Sequence, residues 1–241
     1  MRWFLRLIAM LAALAPASLA YAQGPDRAAI EKIVKEYLIA NPELLVEALQ
    51  EYERREAAAK SERAKAELLN HRVELTNDPL TPVGGNPKGD VTIVEFFDYN
   101  CGYCRRAHPT LKSVVAGDGK IRVIHKQFPI LSDDSKIAAR VALAAAKQGK
   151  YFEMHDALME ARGTLTAERM AHFIAELKLD ARRLAKDMED PAITAYLAQV
   201  ADLARALGIN GTPAFVIGTQ LIPGAVDASV MKDAVAKARK K

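Results

Sequence analysis

Apolar residues recur at helical spacing from Ile30 onward, with Ile33, Val34, Tyr37 and Leu38 completing one stripe. Asn41-Pro42-Glu43 then supplies a cap, a proline suited to a first helical turn and an early acid, so a second helix restarts there. Leu44, Leu45, Ala48, Leu49 and Tyr52 form its apolar face, which thins between residues 53 and 67 to alanines among alternating charges. That later pattern belongs to a solvated helix. The turn-rich run from Asp78-Pro79 through Gly84-Gly85-Asn86-Pro87 reads as a linker. Beyond it the period changes. Residues 91–97 (VTIVEFF) are β-rich, residues 105–115 read as a helix, and residues 121–128 read as a second strand. A long helical stretch follows at about 134–207, with breaks near Gly149, Gly163 and Pro191. Residues 214–217 and 220–222 form a hairpin around Gly218-Thr219, and a last helix runs over about 227–239. Strand, helix, strand, helical block, hairpin and helix predict an α/β fold with a large helical insertion, preceded by an α-helical arm.

Residues 1–22 have the form of a secretory leader. Arg2 and Arg6 precede an uncharged apolar stretch over residues 7–15, Pro16 ends it, and Ala20-Tyr21-Ala22 is a small-x-small cleavage site. The apolar run is shorter than the ~20 residues that span a bilayer, so cleavage after Ala22 is expected. The final residues, Ala238-Arg239-Lys240-Lys241, carry no retention signal. The expected compartment is therefore the periplasm. Half of the 241 residues are hydrophobic and 27% are charged, a composition that excludes a disordered chain. A net charge of +4 gives no reason to expect a nucleic-acid partner.

Only two cysteines are present, as Cys101-Gly102-Tyr103-Cys104, which excludes a disulfide-dense scaffold. At the start of a helix this spacing places the two Cα atoms near the ~5.5–6 Å that a disulfide prefers. Cys101, between a strand and a helix, gains thiolate stabilisation from unpaired backbone N–H groups and the helix dipole. That makes it both nucleophile and leaving group, with Cys104 shielded one turn on as the resolving thiol. Gly102 and Tyr103 lie where side chains tune the thiolate. A structural disulfide across so short a loop would stabilise little. A second alternative is a soft-metal site formed by Cys101, Cys104 and His108, suited to copper(I) or zinc. The remaining histidines, His71, His125, His155 and His172, show no ligand spacing and support no second site. Glu95 alternates with Ile93 and Phe97 on a strand, so its carboxylate is expected to be buried.

The run from Glu95 through Cys104, EFFDYNCGYC, together with Gly211-Thr212-Pro213-Ala214-Phe215, resembles the DsbA-like branch of the thioredoxin superfamily. The arm around Asn41-Pro42-Glu43 is similar to that of the ScsC-type (suppressor of copper sensitivity) proteins, some of which oligomerise through it. The resemblance implies a thioredoxin fold over residues 90–241 with the helical insertion inside it. Before it would come the leader (1–22), an oligomerisation arm (23–78) and a linker (79–89). It makes Cys101 the attacking cysteine, Cys104 the resolving one, Thr212-Pro213 a cis-proline loop opposite them, and Glu95 a buried acid that moves a proton on or off Cys104. Pro109 matches a proline that kinks the active-site helix. No cofactor is implied beyond the redox-active disulfide itself. The implied partners are cysteine-containing secreted proteins and a membrane redox partner, either a DsbD-like reductase or a DsbB-like oxidase. The Gly-Tyr dipeptide departs from the Pro-His of strongly oxidising relatives, so a less oxidising pair is expected. An oligomer displaying several sites favours isomerase or reductase work over oxidation.

Overall fold

The computed structural model describes residues 26–240, so the leader and its cleavage site lie outside the described residues. The helices and strands in order are α1 (Arg27–Ala40), α2 (Glu43–Asn70), α3 (Arg72–Thr76), β1 (Val83–Gly85), β2 (Val91–Phe97), α4 (Gly102–Asp118), β3 (Ile121–Gln127), α5 (Asp133–Ala146), α6 (Tyr151–Glu160), α7 (Ala167–Glu176), α8 (Ala181–Met188), α9 (Pro191–Ala206), β4 (Ala214–Ile217), β5 (Gln220–Pro223) and α10 (Ala228–Arg239). Among the described residues no helix is long and apolar enough to cross a membrane.

The chain divides into two compact units at Ala57–Ala58, inside α2. In the first unit, Asp26 caps α1 by accepting from the Ala28 N–H, and α1 buries none of its side chains. Ile33, Val34, Tyr37, Leu45, Leu49 and Tyr52 are all exposed, so both helices keep their apolar stripes in the open.

The second unit begins within α2, and this differs from the boundary at 79–89 that the turn residues suggested. Leu68 of α2 and Leu75 of α3 are buried in its core against Val94, Phe96 and Val216. Nor are residues 79–89 a free linker. They contain β1, which pairs antiparallel with β3. Lys126 of β3 is buried and reaches back to Thr81 Oγ1 at 2.9 Å and Asp78 Oδ2 at 3.4 Å. Turn residues were correctly located there, but tertiary pairing holds them.

The sheet has the order β1-β3-β2-β4-β5. β2 and β3 are parallel, which requires the crossover that α4 provides; the other neighbouring pairs are antiparallel. Alternation along β2 sends Val94 and Phe96 to one face, against Ile193, Tyr196 and Val200 of α9. It sends Ile93 to the other, against Leu111 and Val114 of α4 and Met231 of α10. The predicted long helical stretch is five helices, α5 to α9. Of these, α5 to α8 form a separate core with Phe97, Tyr99, Cys101 and Cys104 at its edge. The second unit is thus α/β, with a helical block inserted between β3 and β4.

Ile93 is completely buried on the central strand. Ile93→Ala removes three methyl(ene) groups from a packed site and is expected to cost about 2–5 kcal/mol, measured as a lower midpoint in urea unfolding.

Candidate active site

β2 ends at Phe97, and the chain turns through Asp98-Tyr99-Asn100 before α4 begins. Asp98 builds this turn. It is buried, and its Oδ1 accepts from the Asn100 N–H at 2.8 Å. Its Oδ2 accepts from the N–H groups of Ile130 and Leu131 at 2.9 and 3.0 Å. Its carbonyl accepts from the Cys101 N–H at 3.0 Å. Arg105 braces the same turn from α4, donating to the carbonyls of Tyr99 at 2.8 Å and Gly163 at 2.6 Å. Neither residue was singled out by sequence reasoning. The Asx-turn signature of Asp98 two positions before Asn100 is the signal that could have found the first; nothing local marks Arg105.

Cys101 occupies the N-cap position of α4 with extended backbone angles, and Cys104 lies one turn into the helix. Both are free thiols. The Cys101 thiol donates to the Thr212 carbonyl at 3.1 Å, which joins residues 111 positions apart. The Thr212–Pro213 peptide bond is cis. A hydrogen bond from the Cys104 thiol is the largest influence lowering the Cys101 pKa, from 9.0 to about 5. Thr212 and the backbone N–H groups of Cys104 and Tyr103 lower it further, against an opposing effect of burial. These are the free N–H groups of a helix N-terminus, directed at a sulfur that gains charge. Cys104 is pushed the other way. Burial raises its pKa far above the thiol range, and the neighbouring Cys101 adds to the rise. The two thiols therefore have opposite characters: Cys101, 6% exposed, favours the thiolate, and Cys104, fully buried, keeps its proton.

Tyr103 between them is 61% exposed, with the Arg106 guanidinium 4.2 Å above its ring. Gly102 faces open space, where an added Cβ would meet only the Arg106 side chain at 3.9 Å. Exposed Ile130 and Leu131 extend the apolar surface beside the Asp98 turn. Pro109 lies inside α4, which continues through it to Asp118.

Glu95 is on the central strand β2, paired in register with His125 on β3 and Phe215 on β4. Its side chain is fully buried, and neither carboxylate oxygen has a hydrogen-bond partner among the described residues. The nearest cationic candidate is His125, whose Nδ1 lies 3.5 Å from Oε2. Glu95 contributes to holding the Cys104 proton on, because its negative charge disfavours a second one nearby.

The fold brings Cys101, Cys104, Glu95, Thr212 and Pro213 to one region. It does not bring His108 to the sulfurs. His108 Nε2–H instead donates to Asp156 Oδ1, 3.0 Å away, and its ring meets that of His155. The cluster of three potential metal-ligating side chains among the described residues is His108, His155 and Asp156. The three-ligand site of Cys101, Cys104 and His108 thus has no geometric basis here, because residue 108 turns toward α6. The reading of the other histidines as scattered also changes, since His155 neighbours both His108 and His125 in the fold.

Comparison with known proteins follows this geometry. The family described as thioredoxin matches residues 76–237, and the domain described as the copper resistance protein ScsC N-terminal domain matches residues 26–59. A thioredoxin-like oxidoreductase from Silicibacter pomeroyi DSS-3 is 49% identical, covering 70% of this chain and 98% of that one, with a TM-score of 0.69. The catalytic domain of Proteus mirabilis ScsC is 28% identical over 73% of this chain and 99% of that one, with a TM-score of 0.67. A periplasmic thioredoxin-like protein from Salmonella enterica serovar Typhimurium is 30% identical over 70% and 96% of the two chains, with a TM-score of 0.65. Among curated relatives, a Na(+)/H(+) antiporter NhaA 3 from Salinispora tropica is 28% identical over 65% of this chain, which spans about a quarter (24%) of that protein's length. The chain belongs to the thioredoxin family, with a ScsC-type domain ahead of its thioredoxin fold.

Proposed function

We propose that this protein is a periplasmic thiol–disulfide oxidoreductase that works on protein disulfides chiefly as an isomerase or reductase. The observation that carries the exchange chemistry is the polarised pair: a Cys101 thiol at a helix N-cap with its pKa lowered to about 5, beside a buried Cys104. The Cys101 thiolate attacks one sulfur of a substrate disulfide, forming a mixed disulfide and releasing a substrate thiolate. From there two paths diverge. Cys104 can lose its proton and attack Cys101 Sγ, which leaves the substrate with both thiols and the enzyme with a Cys101–Cys104 disulfide. Alternatively the thiolate of a different client cysteine attacks the client sulfur of the mixed disulfide. That forms a new client disulfide, expels the Cys101 thiolate and leaves the first-released client cysteine reduced or free to attack a further client disulfide, a net isomerisation. Glu95 is the group placed to accept the Cys104 proton in the first path. The Thr212–Pro213 segment offers its backbone beside Cys101 to an extended client peptide. Client recognition then rests on exposed Tyr103, Ile130 and Leu131.

The arm supports the isomerase reading over the oxidase one. Its apolar groove, lined by Ile30, Val34, Leu38, Ile39 and Leu45, suits pairing with other copies of the chain. Several sites held together raise the local concentration of nucleophile around one misfolded client. The resemblance of residues 26–59 to the ScsC N-terminal domain supports the same view. Periplasmic placement draws on the leader and on the periplasmic relative. A DsbD-like membrane reductase is the partner this direction requires. An oxidase coupled to a DsbB-like partner is the second reading. The low pKa of Cys101 favours it, because a stabilised thiolate stabilises the reduced enzyme and so makes its disulfide more oxidising.

The two separate in one comparison of wild type with a Val34→Glu/Leu45→Glu double variant, whose changes fall on exposed positions. Light scattering is expected to give a mass several times that of one chain for wild type and one chain for the variant. Refolding of scrambled ribonuclease should fall in the variant, while simple disulfide reduction persists. A monomeric wild type would remove the ground for isomerisation.

A further inference from the structure

His155 on α6 sits between His108 on α4 and His125 on β3, with ring centroids 5.1 and 4.8 Å away. Ligand atoms of His108, His155 and Asp156 all fall within 4.8 Å of one another. His108 Nε2 and Asp156 Oδ1 are 3.0 Å apart. Two ligands about 2.0–2.1 Å from a tetrahedral ion are themselves ~3.3 Å apart, so this pair needs little adjustment to share one.

The second observation is at His155. Its ring is buried, and its Nδ1 lies 2.9 Å from the Tyr99 hydroxyl. The Tyr151 ring stacks on that of His155, and which of His155 Nδ1 and the Tyr99 oxygen donates is set by the tautomer. In the tautomer that carries its proton on Nδ1, His155 donates to the Tyr99 oxygen and the Nε2 lone pair is left bare. Nε2 is buried and has no hydrogen-bond partner among the described residues. Leaving a buried nitrogen unpaired is unfavourable, and a bound ion would relieve it. A histidine oriented through its other nitrogen is the usual arrangement behind a metal ligand. Burial also lowers the pKa of both His108 and His155, a direction that favours the neutral imidazole.

Access exists. A groove of about 790 Å³ is lined by His108, His155, Asp156, Lys112 and Phe152. Lys112 holds the other Asp156 oxygen at 2.7 Å and Glu160 at 3.5 Å, so its charge is offset by two carboxylates and Asp156 Oδ1 stays available.

We propose that His108, His155 and Asp156 form a binding site for one divalent cation of imidazole preference, such as Zn²⁺, with its open coordination position facing the groove and independent of the two cysteines. Two neutral imidazoles and one carboxylate with an open position make a donor set that suits zinc better than hard, all-oxygen ions.

The test uses the full mature chain with Cys101 and Cys104 closed as a disulfide, which removes both sulfurs as ligands. Zn²⁺ titration by calorimetry should give one equivalent per chain. Asp156→Asn keeps a hydrogen bond to His108 but loses the anionic ligand, and His108→Gln removes an imidazole. Each should weaken binding at least about tenfold, the lower limit set by what loss of a mere outer-shell partner costs. Thermal melts without metal run alongside. Lack of saturable uptake in the micromolar range by the oxidised wild type overturns the proposal, as does binding that survives either substitution. If one variant fails to fold, the other decides.

Discussion

Alkylation of the reduced protein at Cys101 is expected to follow a titration with its midpoint near pH 5, while Cys104 stays unmodified throughout. The expectation follows from opposite displacements of the two thiols: Cys101 lowered to about 5 by the Cys104 thiol and helix N–H groups, Cys104 raised by burial. Mass spectrometry after brief iodoacetamide pulses at a series of pH values reads both. Cys101→Ser is expected to abolish exchange, since a hydroxyl supplies no nucleophile at neutral pH. Cys104→Ser should instead accumulate mixed disulfides with clients, because the resolving step is lost. The pKa of about 5 lies between the ~7 of thioredoxin and the ~3.5 of DsbA. An intermediate reduction potential follows. A sign can also be attached to stability. Folding lowers the Cys101 pKa from 9.0 to about 5, so the thiolate's contribution to the reduced fold is complete above pH 9. It declines through the interval between these values and is gone below about pH 5. The disulfide form has no such dependence. Urea midpoints of the reduced form, relative to the oxidised form, should therefore fall between pH 9 and pH 5. A constant difference across that interval would contradict an N-cap thiolate.

Glu95→Leu should make the protein more stable and less active. The carboxylate is fully buried, lacks hydrogen-bond partners and has only His125 at 3.5 Å. Removing a buried polar group that has no hydrogen bond is expected to stabilise by about 1–3 kcal/mol. The same change removes the acceptor placed for the Cys104 proton, and loss of a general base costs roughly 10²–10⁴-fold in the step it serves. The loss should fall on resolution of the mixed disulfide, leaving the first attack by Cys101 near its wild-type rate. Stopped-flow reduction of a fluorescent disulfide peptide separates those steps. Equal slowing of both would assign Glu95 a structural role instead.

Much of this was legible in the chain. The strand at residues 91–97 was readable to the residue, because both of its faces are buried and the run is β-branched and aromatic. The burial of Glu95 followed from alternation alone. What escaped reading is long-range. Val83-Gly84-Gly85 carries every mark of a turn, and only its pairing to Ile124-Val123-Arg122 makes it a strand. Leu68, at the end of the α2 stretch whose charges suggest solvent, and Leu75 on the short α3 are both buried against β2 and β4. The histidines are separated by 17 to 47 positions in the chain, so no local pattern could show that α4, β3 and α6 gather them. Arg105 was invisible for the same reason, since its acceptors include a carbonyl 58 positions away.

The Asp98 carboxylate has a consequence for how clients are handled. Its two oxygens tie Asn100, beside the nucleophile, to Ile130 and Leu131, the exposed apolar pair. Grip and blade are thus one rigid tool. A client that settles on the apolar ledge is presented to the sulfur without any hinge closing over it. On the proposed exchange activity, discrimination among clients is expected to depend little on their sequence and strongly on whether a cysteine has greasy neighbours left uncovered, so that unfinished proteins would be engaged ahead of finished ones.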